Sequence, residues 1–314
     1  MIAFVSALAP VFLLILLGYA LRHGKAVPDE FWAPAERLTY YVFFPALIVD
    51  ELAKAALGDL NVLPMGTAML GAVGLVGLGL FAARRHLPVL SGDLDGPGFT
   101  SVFQGAIRPN TYVGLATAGA LFGPAGLTLT AVGIATVIPL VNVLAVMVLS
   151  RYGSNRTPGV GAAFAALVRN PIIIAVAIGA TLHSVGGPPP VAGAMLQILA
   201  KAALPLGLLA VGAGLDLKAA REAGMPVLQS SVIKLMLLPG ITALLGKLLG
   251  VQGLTLTIAV LFNALPASAS AYVLARQMGG DHRMAAGIIT TQTVLAAFTL
   301  PLALVVFGGL GLHP

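Results

Sequence analysis

The chain has 314 residues, 58% of them hydrophobic and only 9% charged, with a mean hydropathy of +0.99. A water-soluble globule cannot bury that much apolar surface, so the composition excludes a soluble enzyme or binding module and calls for a polytopic membrane protein. The net charge of +6 is spread through loops rather than gathered in a patch, which argues against a nucleic-acid partner, and the lack of cysteine removes disulfide and thiol chemistry.

Ten apolar stretches follow one another with short connections, at 3–21, 32–53, 62–83, 99–122, 126–150, 161–183, 191–215, 225–248, 254–278 and 284–309. Each is near the 20 residues that a membrane-crossing helix needs. The first lacks a basic start and a clear cleavage site, so it reads as a span rather than a signal peptide. The 38 glycines suit closely packed membrane helices better than the alternating strands of a barrel.

Two stretches are interrupted at their centres. The fourth carries Arg108-Pro109-Asn110 and the ninth Leu265-Pro266-Ala267-Ser268. Proline lacks an N–H and clashes with the preceding turn, so neither helix crosses that point unbroken. Two such breaks in corresponding positions of two halves point to a secondary transporter.

Basic residues set the orientation. Loops after spans one, three, five, seven and nine hold Arg22, Lys25, Arg84, Arg85, Arg151, Arg156, Lys218, Arg221, Arg276 and Arg283, against Lys54 and Lys247 on the other side. Ten against two predicts those loops in the cytoplasm and both termini outside.

At an offset near 160, Pro10 pairs with Pro171, Gly18 with Gly179, Pro45 with Pro205, Pro64 with Pro226 and Pro139 with Pro301. Pro109 pairs with Pro266 at a slightly shorter offset. A repeat of five spans places its copy upside down. The expected fold is therefore all-α, with ten transmembrane helices in two inverted five-helix repeats, 1–153 and 154–314, and broken crossing helices at the fourth and ninth spans.

Broken helices that meet in the membrane expose free N–H groups at two starts and free C=O groups at two ends. The starts near Asn110-Thr111 and Ala267-Ser268 favour an anion through amide donors and the helix dipole. Arg108, directly before the first break, is the sharpest candidate for binding it, since a mid-membrane charge usually marks a substrate path or a buried ion pair. The alternative is that its long side chain only stabilises the break. Lys201, one turn before Pro205, is a second candidate, while Lys234 has two readings. Asn110, Thr111, Asn263, Ser268 and Ser270 offer contacts to a substrate or to freed backbone groups. Asn142 and Gln292 read as structural braces. Glu36, Asp50 and Glu51 fall away from the midplane, so coupling to protons or sodium is left open and no cofactor is implied.

The segments Arg108-Pro109-Asn110-Thr111-Tyr112 and 265–281, from Leu265-Pro266-Ala267-Ser268 to Gly280-Asp281, resemble those of the auxin efflux carrier family, in its bacterial organic-acid permease branch. The resemblance runs over all ten spans. The first segment looks like that family's Asn-Pro-Asn-Thr-Tyr crossover with arginine in place of the opening asparagine. The resemblance implies a relation to bile-acid/sodium symporters and crossover prolines at Pro109 and Pro266. It implies a scaffold from spans one, two, six and seven, a mobile transport domain from three to five and eight to ten, and homodimers. Asn110 becomes the substrate-contacting asparagine.

The expected function is alternating-access transport of small organic anions, malonate- or malate-like carboxylates or auxin-like acids, in the bacterial inner membrane, with the anion and membrane lipids as partners. The rivals are a sodium-coupled symporter of larger amphipathic acids and a ligand-binding membrane sensor. An enzyme is not expected, because no Asp-rich metal motif, His-Glu-x-x-His or Gly-x-Ser-x-Gly turn occurs.

Overall fold

The computed structural model describes residues 2–55, 62–84, 94–154, 168–222 and 224–308. Arg85, Arg156, the start of the expected sixth span and both chain ends lie outside these residues. Twelve helices occur among them. In order they are α1 (Ile2–His23), α2 (Asp29–Leu38, Thr39–Phe43 and Phe44–Ala53), α3 (Val62–Ala83) and α4 (Gly96–Ile107). Next come α5 (Thr111–Tyr152), α6 (Pro171–Ser184), α7 (Pro190–Ala213) and α8 (Leu217–Glu222). The last are α9 (Gly224–Val232, Ile233–Leu237 and Leu238–Leu248), α10 (Gly253–Asn263), α11 (Ser270–Met278) and α12 (His282–Phe307).

Local chemistry sets many of these ends. Asp95, Asn170 and Asp281 cap α4, α6 and α12 by accepting from Gly98, Ile172 and Met284 N–H groups. The middle runs of α2 and α9 are π-helical turns, and each lies two residues before a proline, Pro45 and Pro239. A proline ring clashes with the carbonyl four residues back, and widening the turn lets Phe44 and Leu238 donate instead to Thr39 and Ile233, five residues away.

The expectation of ten membrane-crossing helices in two inverted five-helix repeats is overturned. Among the described residues six helices are long and apolar enough to cross a bilayer: Ser6–His23 of α1, Val62–Ala83, Thr111–Tyr152, Pro190–Ala213, Gly224–Leu248 and His282–Phe307. The expectation counted every apolar stretch as a full crossing, the broken fourth and ninth included. With the fourth cut after Ile107 and the ninth after Asn263, α4, α10 and α11 have only 12, 11 and 9 residues. At 1.5 Å per residue these reach about 14–18 Å, short of the roughly 30 Å hydrocarbon core. Four charged residues, Asp29, Glu30, Glu36 and Arg37, open α2, and α6 has only 14 residues. The remainder of the fourth stretch runs into the fifth as the 42-residue α5, in which Gly123 alone is non-helical, at φ 58° and ψ −147°. A repeat built by matching five spans to five loses its basis with the count.

The chain divides into two compact units. The first takes the described residues of Met1–Leu60, Tyr112–Ala135 and Ala166–Leu215. Within it α1 packs along α7, and the last run of α2 packs on α6 and α7. The second takes those of Asn61–Thr111, Thr136–Ala165 and Asp216–Pro314. There α9 packs on α3 and α10, while α12 packs on α4, α8, α9 and α11.

Candidate functional site

The second unit contains the feature that organises the candidate site. Between α4 and α5 the chain is non-helical at 108–110, and between α10 and α11 at 264–269. Proline explains the first interruption: the residue before it is pushed out of the helical region, and Arg108 stands at φ −91°, ψ 109°. The two interruptions pair with each other. Pro109 and Ala267 form an antiparallel bridge, with Asn110 N–H donating to Pro266 O at 2.8 Å and Ser268 N–H donating to Arg108 O at 3.3 Å. Backbone groups freed from the helices are thus satisfied within the protein, as lipid would require.

Helix α12 supports this pairing from the side. Gln292 accepts from Ala267 N–H at 2.9 Å and donates to Gly105 O at 3.2 Å and to Ser230 Oγ at 3.4 Å. Ser230 in turn donates to Val102 O at 3.2 Å. Gln292 and Ser230 are both fully buried, so these bonds fix α4, α9 and α12 around the bridge.

Arg108 reaches across the junction. Its Nε donates to Ser270 Oγ at 2.8 Å and its Nη2 to Asn142 Oδ1 at 2.6 Å. Ser270 Oγ lies 2.9 Å from Ser268 Oγ, to which it donates. Arg108, Ser268 and Ser270 are half-buried, whereas Asn110 and Thr111 are buried. Helices α5 and α11 start here, at Thr111 and Ser270, so two positive dipole ends and a guanidinium gather in one place.

Of the residues singled out in the sequence, Arg108, Pro109, Asn110, Thr111, Pro266, Ser268 and Ser270 stand together at the junction. Asn263 lies just before it, at the end of α10, where its Nδ2 donates to Thr242 Oγ1 at 2.7 Å and its Oδ1 is buried without a partner among the described residues. Lys201 is exposed on α7, in the first unit. Asn142 and Gln292 do act as braces. Sequence reasoning passed over Ser230 and Gln104. Gln104 is fully buried one turn before Arg108 on α4, and neither of its amide atoms has a partner among the described residues. Its signal was a single amide inside the apolar run 99–107.

The geometry describes a polar, cation-bearing junction inside an apolar membrane protein. Residues 160–304 match the model of a family described as membrane transport protein. Over 295 residues the chain is 26% identical to an "uncharacterized transporter" of Methanothermobacter thermautotrophicus, covering 93% of this chain and 94% of that one. It is likewise 26% identical, over 314 aligned positions, to a "putative malonate transporter" of Rhizobium meliloti, covering 93% and 92%. The class that fold and matches define is a multi-pass membrane transporter, not an enzyme. The wider relation to bile-acid/sodium symporters rests on the resemblance alone.

Proposed function

We propose that the chain carries small organic anions of the carboxylate type by alternating access, with the anion seated at the junction of the two interrupted segments. The observation that carries this reading is Arg108. Its guanidinium is half-buried between two helix starts and is held by the neutral oxygens of Ser270 and Asn142. A planar guanidinium matches a carboxylate, and the dipoles at Thr111 and Ser270 add to its attraction. Asn110, Thr111 and Ser268 supply further short polar groups. The name of the Rhizobium relative, with coverage nearly end to end, supports malonate-like substrates.

In this reading the second unit, which holds the whole network, is the mobile transport domain, and the first is the scaffold on which a homodimer would form. The basic loops face the cytoplasm, and the membrane is the cytoplasmic one. Purified protein in proteoliposomes tests the reading against a panel of mono- and dicarboxylates. Arg108→Ala at matched protein amounts should lower uptake of the best substrate at least about tenfold, the scale of one charge-assisted hydrogen bond. Uptake unchanged by that substitution would remove Arg108 from the site.

A further inference from the structure

A second cation in the same unit is unused by the site above. Lys234 lies on the π-helical turn of α9 and is 0% exposed, among the largest fully buried side chains of the protein. Its Nζ donates to the carbonyl of Asn263 at 3.2 Å. Asn263 is the last residue of α10, so the ammonium sits at the negative end of a helix that stops inside the protein. The preceding carbonyls are taken by main-chain donors: Ala264 N–H binds Val260 O at 2.9 Å and Leu261 O at 3.1 Å, and Leu265 N–H binds Phe262 O at 3.4 Å. The carbonyl of Asn263 goes to the lysine instead.

Three features make this more than a helix cap. A lysine ammonium has three donors, and among the described residues this carbonyl is its one acceptor. No carboxylate among them pairs with it, although an ammonium inside a membrane protein is costly and normally paired. The same Asn263 also has a buried side-chain oxygen with no partner among the described residues, while its Nδ2 donates to Thr242 Oγ1. An interrupted helix end with spare oxygens is where carriers hold a coupling cation. Here that place has one oxygen without a partner among the described residues, Asn263 Oδ1, and a positive charge already present.

We infer that the Lys234 ammonium is a tethered cation occupying the seat that a coupling sodium ion would otherwise take, so that the carrier works without sodium. The consequence for coupling rests on the transport reading, but the seat itself does not. The wide π turn before Pro239 sets where the lysine's backbone stands, and α10 supplies the oxygens.

The test begins without substrate. Thermal unfolding of the purified protein is followed in sodium, lithium or choline chloride at equal ionic strength. Wild type should be indifferent to the cation. Lys234→Ala vacates the seat but leaves the oxygens, and should gain a sodium-dependent rise in Tm of about 3 °C or more between 1 and 100 mM. Lys234→Met fills the space without charge and should gain no such rise. A sodium response in wild type, or none in Lys234→Ala, overturns the inference. Should Lys234→Ala fail to fold, calorimetric titration of wild type with sodium decides: saturable binding overturns the proposal, and no binding supports it. Uptake by wild type in sodium-free proteoliposomes is the second arm. Uptake that needs sodium defeats the tethered cation, whereas no uptake of any carboxylate under any ion defeats the transport reading and leaves the thermal result standing.

Discussion

Gln104 and Gln292 are both fully buried in the second unit, yet they are in opposite states. Gln292 uses its carbonyl on Ala267 and its amino group on Gly105 and Ser230, whereas both polar atoms of Gln104 stand without partners among the described residues. Replacing a satisfied amide strands its partners, so Gln292→Leu should cost about 1–3 kcal/mol for each stranded group and lower the Tm in detergent. Replacing an unsatisfied one removes a penalty of the same size. Gln104→Leu should therefore raise the Tm and, on the proposal that this amide one turn from Arg108 serves the bound anion, weaken carboxylate binding. Thermal unfolding with and without the best carboxylate separates these effects, and a Gln104→Leu protein that is less stable would show that the amide is structural. Gln292 was legible as a brace because a single amide in a long apolar helix has to be bonded to something. Gln104 gave the same signal, but whether a buried amide is paired depends on neighbours brought in by the fold.

Interrupted helices were the most legible elements, since proline chemistry acts within a few residues. Arg108 leaves the helical region because Pro109 follows it, and no tertiary contact is needed to foresee that. Helix count and packing partners were less legible. The stretch 99–122 looked like one span in a hydropathy profile, but its second half continues through α5 to Tyr152. Gly18, matched by spacing to Gly179 as a repeat position, packs against α7, a contact that spacing does not reveal. A Cβ on Gly18 would fall 2.1 Å from Leu209 O, and one on Gly212 would fall 1.7 Å from Ile15 O. Backbone touches backbone where α1 and α7 cross, which only glycine permits. Gly212→Ala should separate the helices and cost about 1–3 kcal/mol, in the range of overpacked sites. Gly79→Ala on α3, where an added Cβ has nothing within 4 Å, should be neutral or stabilise by up to about 1 kcal/mol. Comparing the two Tm values in one detergent checks the crossing, and equal shifts would mean that it is not tight.

For the molecule as a whole, the sides assigned to the loops came from alternation along ten spans, so with that count overturned the orientation is a proposal that needs its own test. Arg22, Lys25, Arg84, Arg151, Lys218, Arg221, Arg276 and Arg283 lie among the described residues on the side assigned to the cytoplasm, and Lys54 and Lys247 on the other. Translocating a basic loop is disfavoured, so a bias of this size should hold one orientation even where individual helices are short or interrupted. The absence of cysteine makes the test clean, because any thiol introduced is the sole thiol. Lys25→Cys and Lys218→Cys probe the basic side, and Lys54→Cys and Lys247→Cys the opposite one; all four lysines are exposed. In intact cells a membrane-impermeant maleimide should label the last two and leave the first two unreacted until the membrane is permeabilised. The reverse pattern would turn the molecule over and exchange the faces to which the Arg108 junction opens in alternating access. Labelling of all four in intact cells would mean that these loops share a side and that charge does not set the topology.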